Sequence, residues 1–162
     1  MIGWLLATAG TAALGSVFPL VNIELYLLGV ISSGTGPAWW ALGLAAAVGQ
    51  VTGKTLFYLA GKGSFTLGER LGRMTRARKG SRWADWMQRF HQRVEQRPWW
   101  GVGVLFVSAI PGLPPFTLMS FAAGAAGIRI AQYLLASLAG RGLHFLIVAA
   151  APELIHQLPF FG

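Results

Sequence analysis

The stretch Phe106 to Gly124, FVSAIPGLPPFTLMSFAAG, lies in an apolar region yet cannot form an ordinary membrane helix. Pro111, Pro114 and Pro115 each lack a backbone N–H, and their rings clash with the preceding helical turn. Gly112 adds freedom between them. The arms on either side, Trp99 to Ile110 and Phe116 to Gly127, have 12 residues each. A straight crossing needs about 20 residues at a rise of about 1.5 Å each. Two geometries are open. One is a broken pair that enters the bilayer and returns on the same side, which the arm lengths favour. The other is a single proline-kinked span whose neighbours satisfy the kink. In both, non-helical backbone at membrane depth needs protein or a water-filled cavity around it, so the break marks a candidate site.

The first half repeats this signal. Ile2 to Ile31 is apolar but broken near Ser16 to Asn22, with Pro19 in the break and Glu24 just after it. The second arm, Asn22 to Ser33, is again too short to cross, whereas Met1 to Phe18 would reach across if straight. A turn-rich connection, Ser32 to Pro37, leads into Ala38 to Gly61, whose only charge is Lys54. Its 24 residues would run about 36 Å as a helix, enough to cross with some tilt. Gly49 and Gly53 form a GxxxG pair, with Gly43 and Ala47 on a nearby face. That spacing permits close helix contact, although a chain with 22 Gly also produces it by chance. After the second break, Gly127 to Ala151 forms another long apolar segment. Arg129 stands at its start, and Arg141 and His144 lie inside it, before the tail Pro152 to Gly162.

Between the halves lies a basic linker. Ten of the 13 Lys and Arg fall between Lys62 and Arg97, in a chain with only 11% charged residues, against about a quarter in soluble domains. Charge confined to one loop between apolar halves is the positive-inside pattern, not a nucleic-acid footprint, and it places the linker in the cytoplasm. Ser81 to Arg97 carries Trp83, Trp86, Met87, Phe90 and Val94 at helical spacing, with Arg82, Arg89, Arg93 and Arg97 pointing elsewhere. Ser81 can cap this helix and Pro98 ends it. Such a helix suits the headgroup layer, or equally packing on another protein surface. The first 53 residues hold no Lys or Arg, so Met1 to Ser16 does not read as a secretory signal. The absence of Cys excludes disulfides, thiol catalysis and cysteine metal sites.

The expected fold is an all-α integral membrane protein forming one domain. Repeat 1 covers residues 1–62, an amphipathic cytoplasmic linker 63–98, and repeat 2 residues 99–162. Each repeat is a re-entrant hairpin followed by a transmembrane helix. One crossing per half inverts the second repeat, puts both termini outside, and directs two broken segments toward the bilayer midplane.

These residues resemble the DedA family, also called the VTT domain or SNARE-associated Golgi protein family, from about Phe18 to Ala149. The first half carries Phe18-Pro19, Glu24 and Gly53-Lys54-Thr55-Leu56-Phe57-Tyr58-Leu59-Ala60-Gly61-Lys62. The second carries Phe106, Pro111, Ala123-Gly124 and Gly140-Arg141. Three positions depart from the pattern: the family's acidic position is Lys54, and its two arginines fall at Ser108 and Pro114. Those groups are implicated in proton-coupled transport in characterised members. The resemblance therefore implies the hairpin architecture and leaves the energy coupling open. It further implies a multi-pass protein of the bacterial inner membrane that moves a phospholipid or a polyprenyl phosphate between leaflets.

Charges at membrane depth usually face a cavity or a partner. Glu24, Lys54, Arg141 and His144 are the ionisable candidates, with Glu24 and Lys54 expected to pair, either structurally or for transport. Arg141 suits a lipid phosphate, and His144, three residues on, can share its helical face or simply bond a carbonyl. Asn22, Tyr58, Ser108, Pro111, Gly112, Pro114 and Pro115 complete the transport set. Arg82, Arg89, Arg93 and Arg129 are expected at headgroups or a partner. Expected partners are membrane lipids and a second copy of the chain, with no nucleic acid, cofactor or metal. A small-solute or ion transporter on the same scaffold, and a non-transporting membrane protein whose linker recruits a partner, remain alternatives. An enzyme is not expected, because nucleophile motifs, HExxH, Walker loops and paired carboxylates are absent from the sequence.

Overall fold

In the computed structural model, residues 1–18, 22–63, 82–111 and 115–157 are described, the side chains of 83, 84 and 153–157 excepted. Seven helices account for most of them: α1 (Ile2–Val17), α2 (Ile23–Ser32), α3 (Trp39–Gly61), α4 (Arg82–Gln96), α5 (Pro98–Ala109), α6 (Phe116–Ala125) and α7 (Ile130–Gln157). The ends follow local chemistry. Asn22 caps α2, its side chain accepting from the Glu24 and Leu25 amides at 3.0 and 3.2 Å. Pro98 opens α5, where its fixed φ suits the first turn and its missing N–H costs nothing. At the end of α6, Gly127 takes φ +75°. The Gly127 and Ile128 amides donate back to Gly124 and Ala123, closing a Schellman turn.

Both apolar breaks fall where the prolines put them. The helices around them, of 16, 10, 12 and 10 residues, match the expected arms within two residues or so. Pro19, Gly112 and Pro114 lie outside the described residues. Helix α7 departs from expectation by running through Pro152 to Gln157 rather than stopping at Ala151. One proline removes one hydrogen bond, and good helix formers follow it. Among the described residues, α7 is the one helix both long and apolar enough to cross a membrane by itself. Helix α3 has the length, but Gln50, Thr52, Lys54 and Thr55 make it more polar.

The chain forms two compact units, Met1–Gly53 with Arg141–Gly162, and Lys54–Gly140. In the first, Ala12, Ile23, Leu27, Leu42, Ala46, Ala47 and Phe145 form the core. Helices α1 and α3 meet backbone to backbone: a Cβ at Gly49 would fall 2.0 Å from the Ala9 carbonyl oxygen, and one at Gly53 would fall 1.8 Å from Ser16 Oγ. The GxxxG pair is therefore a contact face.

The second unit is built around Tyr58, Leu105, Phe116, Met119 and Tyr133, all buried. A Cβ at Gly124 would lie 1.9 Å from the Tyr58 carbonyl oxygen, so α6 crosses the end of α3 at backbone distance. A Cβ at Gly140 would lie 2.8 Å from the Phe106 carbonyl oxygen and 2.6 Å from Ala109 Cβ. Helix α4 belongs here too. Phe90 and Val94 are buried, and Trp86 and Met87 pack against the same core. Its apolar stripe is thus spent inside the chain on α5 and α6, not inserted into a headgroup layer. The stripe ends within one turn of the α5 start, and Gly101 lets Val94 approach. Ser81 and the Trp83 side chain lie outside the described residues.

Candidate functional site

The first unit gathers three of the four expected ionisable groups. Glu24 is the second residue of α2, held in the first turn by the Asn22 cap. Its carboxylate Oε1 lies 3.1 Å from His144 Nε2 on α7. The side chains are 48% and 20% exposed respectively, so the pair borders the surface of its unit. Arg141, 8% exposed, sits one turn earlier on α7 and within Coulombic reach of the same carboxylate. Its guanidinium stacks over the Phe145 ring at 5.5 Å, and His144 meets that ring edge-on at 5.1 Å. One carboxylate, one imidazole and one guanidinium are therefore gathered around the Phe145 ring.

In the second unit, Lys54 donates to Thr117 Oγ1 and lies 5.4 Å from the Phe57 ring centroid. Glu24 and Lys54 belong to different units, and within its own unit Glu24 meets His144 and Lys54 meets Thr117. Thr117 was not expected. Its signal was positional: it is the second residue of α6, as Glu24 is of α2. His144 and Asn22 each have a local partner. His144 bonds a carboxylate instead of a carbonyl, and the Asn22 side-chain oxygen is taken up by capping because helix N-termini leave amides to satisfy.

Tyr58 is fully buried. Its hydroxyl donates to the Ile128 carbonyl and its ring stacks on Tyr133 at 4.5 Å, with Tyr133 donating to Ser120 Oγ at 3.0 Å. The Schellman turn aims the Ile128 carbonyl at Tyr58. Ser108 is buried near the end of α5, while Pro111 and Pro115 are exposed on either side of the second break. Arg82, Arg89, Arg93 and Arg129 are all exposed.

The family model of the VTT domain matches residues 2–153, nearly the whole chain. The chain belongs to the DedA family. This is a membrane-associated family, and the DedA chain described here is all-helical over its described residues with one clear apolar span. No curated protein and no solved structure matches it.

Proposed function

We propose that this DedA chain is a multi-pass protein of the bacterial cell membrane that carries a phosphate-bearing lipid between leaflets. The scaffold would be an inverted repeat of two re-entrant hairpins, with the basic linker in the cytoplasm. Helices of 16, 10, 12 and 10 residues reach only about 24, 15, 18 and 15 Å, short of the roughly 30 Å hydrocarbon layer. The short helices of each pair pack on each other. Within each unit, the second short helix also touches the long helix of the opposite sequence half, through Glu24–His144 in one and Thr117–Lys54 in the other. That reciprocity supports a repeated plan.

The observation that carries the proposal is the cluster of Glu24, His144 and Arg141. A guanidinium offers a planar fork to phosphate oxygens. Glu24 is an oxyanion that can hold the His144 ring and the Arg141 guanidinium while no lipid is present and yield them to a phosphate when one arrives. Buried charge is then never left uncompensated, which keeps the barrier to exchange low. The acyl chains stay in the bilayer while the headgroup passes.

The test uses the full chain in liposomes holding a trace of fluorescent phospholipid, with an impermeant quencher added outside. The wild type should expose the inner-leaflet fluorophore, and Arg141→Ala should slow this about tenfold or more, since losing a charged hydrogen bond costs roughly 1.5–3 kcal/mol. Arg141→Lys should fall between. Wild-type vesicles that behave like empty ones, or an Arg141→Ala protein as fast as wild type, overturn the proposal.

A further inference from the structure

The arginines of α4 do not face away from its buried stripe. At 100° per residue, Arg82, Arg89 and Arg93 fall within an arc of about 40°, centred about 80° from Phe90. They run along one flank of the helix. Trp100 lies on that flank, since Arg93 stacks over its ring at 5.4 Å while Phe90 packs against it at 5.8 Å. Trp99, next in the chain, is 76% exposed.

Contacts within the second unit bring more cations to the same end. Gly101, at the start of α5, packs on Val94 of α4 and on Ile128, just before α7. Tyr58 ties the end of α3 to Ile128, and the Lys62 amide lies beside Gly124. These contacts run on the Val94 side of α4, and Lys62, Arg97 and Arg129 are exposed in the same unit, adding positive charge around this end. Among the described residues of this end the carboxylates are Asp85 and Glu95, and Glu95 is engaged by His91 at 3.2 Å.

We infer that this flank is a binding surface for anionic phospholipid headgroups, with α4 riding on its own protein and meeting the bilayer edge-on. The physical case has three parts. Trp86, Met87, Phe90 and Val94 of the apolar stripe are occupied by the protein's own core, so they are not free to enter lipid. The cations form one lateral row, which suits a planar anionic surface alongside the helix. An exposed Trp beside them is the residue that settles at the membrane–water boundary. Each Lys or Arg near such a surface strengthens association several-fold, and the effects multiply along a row. The inference rests on the chain being embedded in a membrane and not on lipid movement between leaflets.

Native mass spectrometry of the full chain, released from micelles doped with equal phosphatidylglycerol and phosphatidylcholine, reads the preference directly. Wild type should retain phosphatidylglycerol about tenfold over phosphatidylcholine. R82Q/R89Q/R93Q should bring the ratio close to one, and R82K/R89K/R93K should keep most of it, which separates loss of charge from loss of fold. Equal retention by the wild type, or an undiminished preference in the glutamine variant, overturns the inference. So does tight, arginine-dependent binding of polyglutamate with no lipid preference, which would mark the flank as a site for an acidic protein. Transport rates of the same variants, measured in vesicles, report on the translocation proposal separately.

Discussion

His144 and Glu24 stand 120 residues apart in the chain and 3.1 Å apart in space, joining α7 to the first turn of α2. Two residues that share a bond do not contribute additively to stability. The Glu24→Ala and His144→Ala variants should each lower the unfolding midpoint in detergent, and the double variant should fall short of their sum by about 0.5–3 kcal/mol. Strict additivity would mean the contact carries no energy.

Gly49 and Gly10 make a matched pair. A Cβ at Gly49 strikes the Ala9 backbone, whereas one at Gly10 meets nothing within 4 Å. Gly49→Ala should cost about 1–3 kcal/mol by forcing α1 and α3 apart. Gly10→Ala should be neutral or stabilising by up to about 1 kcal/mol, from helix propensity alone. Thermal unfolding of the two variants side by side checks the contrast, and equal effects would contradict the α1–α3 contact.

Phe90 anchors α4 to the second unit. Phe90→Ala should cost about 3–5 kcal/mol of local stability, as for other large-to-small core changes. Because Arg89 and Arg93 are exposed, an undocked α4 is a trypsin substrate. Digestion of intact membranes should cut between Arg82 and Arg97 faster in the variant than in wild type. Arg82→Gln, on the exposed flank, should leave the rate of cleavage at Arg89 and Arg93 unchanged.

Tyr58 separates structure from transport. Tyr58→Phe keeps the stack on Tyr133 and removes only the bond to the Ile128 carbonyl. The expected loss is about 1–2 kcal/mol in unfolding experiments, including the carbonyl left unpaired. Lipid movement per folded molecule should not change. A transport defect without a stability defect would mark Tyr58 as a transport residue.

Local chemistry made the helix boundaries readable. Pro98, Pro115 and Asn22 act within one turn of themselves, so the two breaks, the four short arms and the start of α5 could be placed from the chain alone. The end of α7 could not, because Pro152 both breaks hydrogen bonding and is tolerated inside a helix, and only the finished fold selects between these. The amphipathic pattern of α4 was equally legible, but a pattern gives a direction and no partner. Lipid and protein accept the same Trp-, Phe- and Val-bearing stripe.

The sequence by itself determined that this chain is helical, twice interrupted, and charged in one linker, since proline geometry and hydropathy operate over a few residues. Which charges meet was decided by the tertiary structure alone. Glu24 on α2 faces His144 on α7, and Lys54 faces Thr117 where α6 crosses α3 through glycines that let backbones touch. A contact spanning more than 60 residues is set by how helices stack, and no local rule about the residues between them encodes it.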